Sequence, residues 1–147
     1  MFKSKIATLL GTMALSGALL LPAVPAQAAW SDWQSVSKAG SGCKVRVYTD
    51  ATNYSAKATT VDAKAESNGK CGTLYYDMRL TWMGSDSMSH DITSGSFSSN
   101  TPTKSLKIGD VYENEKTYIR LYLFTDSAWT NDAGLVVSDT IYLTKNK

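Results

Sequence analysis

The chain has 147 residues, 15 of them basic and 13 acidic, is 43% hydrophobic, and has two cysteines. A chain of this length carries one real core and leaves no room for a second domain of similar size. Its near-balanced, interspersed charges exclude the electrostatic footprint by which proteins bind nucleic acid or an anionic membrane surface.

A leader comes first in chain order. Lys3 and Lys5 precede an apolar run from Ile6 to Leu21, followed by Pro22 to Ala28 with a small-x-small site at Ala26-Gln27-Ala28. A charged end, a short apolar stretch and a small-residue cleavage site together specify a secretory signal peptide over residues 1–28. The apolar run is short for a membrane span, and no later stretch reads as one. The expectation is therefore a secreted, extracellular protein whose domain occupies residues 29–147. Because Lys3 and Lys5 leave with the signal, 13 basic residues remain against 13 acidic ones, a formally neutral chain.

From residue 29 onward, period-2 alternation replaces any helical pattern. Trp30 and Trp33 stand at the new N-terminus, where they are expected to cover a sheet edge. Val45 and Val47 alternate with Lys44, Arg46 and Tyr48, and Val61, Ala63 and Ala65 alternate with Asp62, Lys64 and Glu66. Leu74, Tyr76, Met78, Leu80 and Trp82 alternate with Tyr75, Asp77, Arg79 and Thr81. Each run predicts a half-buried strand. Asn68-Gly69 between the second and third runs predicts a hairpin, making 43–50, 57–66 and 71–83 a meander. Cys43 and Cys71 then begin its first and third strands at one end of the sheet. In an oxidising compartment they are expected to bridge, closing a loop of about thirty residues and contributing roughly 3–4 kcal/mol.

The stretch from Ser85 to Ser105 is rich in Ser, Gly and Asn and reads as loop, with too little apolar alternation for a membrane-inserting hairpin. Leu106 and Ile108 mark a short strand, residues 118–125 a strong one, and residues 135–144 a last one slipping near Ser138-Asp139, where a bulge is expected. Seven or eight short strands with frequent turns predict an all-β fold: an antiparallel β-sandwich of immunoglobulin-like or jelly-roll type, with a small barrel as the alternative.

Three kinds of candidate chemistry are present. His90, the one histidine, sits between Ser89 and Asp91, but adjacent residues on an extended chain diverge, so it is read as an exposed loop histidine and not as part of a triad. The acidic loop residues Asp110, Glu113 and Glu115, or Asp126 with Asp132, would serve a small secreted hydrolase only across a cleft that this chain lacks loops to build. Asp86 with Asp91, or Asp126 with Asn131 and Asp132, offers oxygens for a weak calcium site without any recognised spacing, so no metal or cofactor is assigned.

The aromatic residues point to binding. Trp129 lies in a polar loop with Asn131 and Asp132, the place on a sandwich where binding residues concentrate. If Ile119, Leu121 and Leu123 face the core, Tyr118, Arg120 and Tyr122 form an outward strip, with Tyr75 and Arg79 beside it. Tyr and Arg are enriched at binding hot spots, and aromatic rings stack on sugars. Cross-strand pairing that merely steadies the sheet is the competing reading. The sequence therefore points to a secreted binding module for an extracellular protein or polysaccharide. A small hydrolase and an inhibitor or toxin-like effector are its rivals.

Overall fold

The computed structural model describes residues 27–147, so the proposed leader, save its last two residues, lies outside the described part. The chain runs through β1 (Ala29–Trp30), β2 (Gln34–Ser35), a 3₁₀ turn (Ser37–Ala39), β3 (Lys44–Thr49), β4 (Asn53–Tyr54), β5 (Thr60–Ser67) and β6 (Leu74–Thr81). It continues through β7 (Ser89–Phe97), β8 (Lys104–Lys107), β9 (Glu115–Thr117), β10 (Ile119–Phe124), β11 (Asp132–Val137) and β12 (Ile141–Leu143). No described helix is long and apolar enough to cross a membrane.

The alternation in each strand builds a two-layer sandwich, as expected. One sheet has the order β1-β3-β5-β8, with β2 also on β3; the other has the order β11-β10-β6-β7. Val45, Val47, Val61, Ala63 and Leu106 from the first layer meet Tyr76, Met78, Ile119, Leu121 and Val136 from the second, all nearly inaccessible to solvent. Each such large aliphatic side chain contributes roughly 1.5–3 kcal/mol on leaving water. A small third sheet, β4-β12-β9, closes one end and contains the one parallel pairing among the described strands, β4 with β12.

Cys43 and Cys71 are bonded, as the sequence leads one to expect. The bridge does not pin a meander, however. β3 and β5 pair in one sheet and β6 lies in the other, so the disulfide joins the two layers. Asn68-Gly69 is accordingly a crossing between layers and not a hairpin. The Asn68 side chain accepts from the amides of Lys44 and Lys70 and donates to the Gly42 carbonyl, tying the crossing to the start of β3.

Three further expectations are corrected. The Ser-rich stretch read as loop contains β7, a nine-residue edge strand paired along its length with β6. Its outward residues Ile92, Ser94 and Ser96 are exposed, so only Phe97 needed to be apolar and buried. Gly95 is required there: a Cβ would stand 2.9 Å from the hydroxyl of buried Tyr76, directly opposite. Trp82 is half-buried and not core, because the register shifts at Leu80/Thr81 and puts Thr81 inside, where its hydroxyl meets that of Thr117 at 2.9 Å. The slip at Ser138-Asp139 is a change of sheet between β11 and β12. Buried Ser138 holds the Ile119 backbone with both its amide and its hydroxyl.

The layers also meet along one side. Gln34 on β2 donates from its side-chain amide to the Val137 carbonyl at 2.7 Å and accepts from the Val137 amide at 3.0 Å. Lys38 reaches Asp132 at 2.9 Å beside it.

Candidate functional site

Trp129 and the residues of the outward strip are brought onto one surface. β10 sends Tyr122 and Phe124 outward, and register places Tyr75 opposite Phe124 and Asp77 opposite Tyr122 on β6. Trp129 folds back so that its ring lies 5.3 Å from that of Phe124, tilted by 43°. The result is an aromatic row, Trp129, Phe124, Tyr75 and Tyr122, flanked by exposed Leu135 on one side and Ser94 and Ser96 on the other. Arg79 lies over the Tyr122 ring at 4.8 Å while its guanidinium also grips Asp77, and these contacts hold its proton more firmly than usual.

The loop that presents Trp129 is built around one carboxylate. Asp126 accepts from the Thr130 hydroxyl at 2.6 Å and from the amides of Thr130 and Asn131. These donors hold its carboxyl below the usual carboxylate range. Trp129 itself has φ +61°, a left-handed backbone that costs a bulky residue of order 1–3 kcal/mol and persists only where surrounding contacts enforce it. Asn131 is exposed at the loop's exit, its backbone bonded to Thr125. Asp132 is exposed too but paired with Lys38, which lowers its carboxyl below the usual range.

The strip proposed over Tyr118, Arg120 and Tyr122 divides. Tyr122 is in the aromatic row. Arg120 turns toward the loop after β6, pairing with Asp86 and donating to the Gly84 carbonyl at 3.0 Å. Tyr118 lies under the same loop: a Cβ on Gly84 would come within 3.3 Å of its ring. These two residues fasten the loop to the sheet. Phe124, the partner of Trp129, lies beyond that strip. Its signal was available, since it continues the outward phase of Tyr118 and Tyr122.

His90 is not an exposed loop residue. It lies on β7 with its side chain only 5% exposed, and Nε2 is 2.5 Å from Oε1 of Glu115, whose side chain is 1% exposed. The edge of the ring pair with Trp82 covers it at 6.4 Å. Asp91 points elsewhere, accepting from the amides of Ile92 and Lys107. Glu115 therefore leaves the loop cluster it was grouped with, and His90 and Glu115 fasten β7 to β9. Of the other carboxylates named for calcium or hydrolysis, Asp86 is engaged by Arg120, Asp110 by Lys147, Asp126 by its own loop and Asp132 by Lys38, while Glu113 is exposed and, among the described residues, faces no second carboxylate across a cleft.

No solved structure matches the chain. Among curated proteins it is similar to the "Cell wall-binding protein YqgA" of Bacillus subtilis (strain 168), with 48% identity over 86 residues, 58% of this chain and 60% of that protein. The chain thus aligns with about 60% of the length of that curated relative. The family profile described as "YqgA MG2 macroglobulin domain" matches residues 26–144, which cover the whole sandwich. This disulfide-bridged, immunoglobulin-like β-sandwich belongs to the YqgA MG2 macroglobulin domain family.

Proposed function

We propose that the protein is an exported, extracellular binding module and that the row formed by Trp129, Phe124, Tyr75 and Tyr122 docks on a cell-wall polysaccharide. The observation that carries this reading is the seating of Trp129. Its loop spends backbone strain, offset by the Asp126 hydrogen bonds, to hold a large aromatic ring at the end of an aromatic row. Sugar rings present apolar C–H faces that stack on such rings, while hydroxyls bond to polar groups at the rim. Asp77, Arg79, Asn131 and the serines of β7 supply that rim. The cell-wall-binding relative supports a wall component as the partner.

The test is retention of the refolded 29–147 chain on purified insoluble wall polysaccharide, beside Trp129→Ala and Tyr122→Ala. Retention by the parent and its loss in both variants, with melting temperatures preserved, is the expected result. Equal retention of parent and variants would move the site elsewhere on the sandwich.

A further inference from the structure

The outer face of the other sheet carries a different constellation that the wall-docking row does not use. β1 sets Trp30 beside Tyr48 of β3, ring centroids 5.2 Å apart. The Arg46 guanidinium lies over both Trp30 and Trp33, at 4.4 and 4.5 Å, and its Nε donates to Glu66 at 2.6 Å. Lys64 of β5 stands over Tyr48 at 5.0 Å and over Trp30 at 5.4 Å. Glu66 is occupied by Arg46, and among the described residues Lys64 has no carboxylate within ion-pair distance.

Along β5 the same face leads from Lys64 through Asp62 to Thr60, which pairs with Lys107 of β8. Four residues of strand cover about 13 Å. There a groove of about 550 Å³ opens, lined by Lys57, Thr60, Lys107, Asp110, Asn146 and Lys147. Asp110 is taken up by Lys147 at 3.6 Å, while Lys57 and Lys107, both exposed, form no ion pair among the described residues. Aromatic surface at one end and, at both ends, lysines that form no ion pair among the described residues share one face, with Asp62 between them.

We propose that this face is a second binding surface and that its ligand is an anionic polysaccharide. Sugar rings lie against exposed Trp33, and ring-borne negative charges meet Lys64 and Lys107. These cations are lysines, which act as point charges, while the one arginine fork is already filled by Glu66. Their spacing of about 13 Å along the strand lets a sugar chain that spans several units present one of its carboxylates to each lysine. The near-balanced charges of the chain give no broad basic footprint of the kind that binds nucleic acid.

The experiment uses a Trp129→Ala background, so that the other face is silenced, and two forms of one polymer: polygalacturonate and the same chain with its carboxyls methyl-esterified. Retention on the acidic form alone, weakening as salt rises, is the expected result. Adding Lys64→Gln and Lys107→Gln should reduce it by about tenfold or more without moving the melting temperature, and Trp33→Ala should weaken it independently. Three outcomes would overturn the proposal: no retention on polygalacturonate, retention indifferent to the lysine substitutions, or tighter binding to a single-stranded oligothymidylate.

Discussion

The two outer faces of this sandwich use the same side-chain types to opposite ends. On the β10–β6 face the arginines have their counter-charges within the protein, Arg79 in Asp77 and Arg120 in Asp86, so the aromatic row and its rim carry no unpaired arginine. On the β3–β5 face the aromatic rings lie beneath cations, and Lys64 and Lys107 form no ion pair among the described residues. Exposure of a tyrosine or an arginine therefore says little about function. The location of its counter-charge decides whether a face stacks or attracts.

The largest expected effects should strike both faces together and so provide the baseline. Replacing Cys43 and Cys71 with alanine removes the tie between the layers and should cost about 3–4 kcal/mol, measured by denaturant unfolding. Glu115→Ala leaves His90 buried without its partner and should cost about 3 kcal/mol, a fall of roughly 10 °C in Tm by calorimetry. If either change weakened one face while leaving the other intact, the faces would not share a single framework.

Smaller effects should separate the faces. Trp129→Ala should weaken wall retention about 10- to 30-fold, equivalent to roughly 1.4–2 kcal/mol, and leave polyanion binding untouched. Its effect on stability should stay near about 1 kcal/mol, the worth of the lost stacking on Phe124, since alanine keeps the left-handed backbone strain. Smallest is the pH response. The Asp126 carboxyl titrates below its ordinary value of about 3.9, so its loop contacts are complete above that pH and are lost as pH falls through the depressed value. Trp129 fluorescence should therefore hold constant down to about pH 4 and change below it, ahead of any loss of the far-ultraviolet strand signal.

Much of this organisation was legible in the chain because burial leaves a period-2 trace. Val45/Val47, Leu74/Tyr76/Met78 and Ile119/Leu121/Leu123 each announced a strand and its inward face, and two cysteines behind an expected leader announced their bond. β7 was not legible, since an edge strand with a solvent-facing side needs no apolar alternation, and Ser and Gly elsewhere mean loop. Nor was the His90–Glu115 pair: its partners are 25 residues apart, while the adjacent Asp91 suggested a different grouping. Asn68-Gly69 misled because a tight turn specifies a reversal but not the sheet the chain enters next. Trp129 was legible as a loop aromatic, but its seat on Phe124 depended on a left-handed backbone that no composition reveals.

Gln34 bears on how copies of this protein behave toward one another. β11 is the last strand of its sheet, and an open edge is where a foreign strand would add. At Val137 both backbone valences of that edge are already taken by one side-chain amide. A strand adding on this side would have to displace Gln34, so the β11 edge resists pairing with a second copy at Val137.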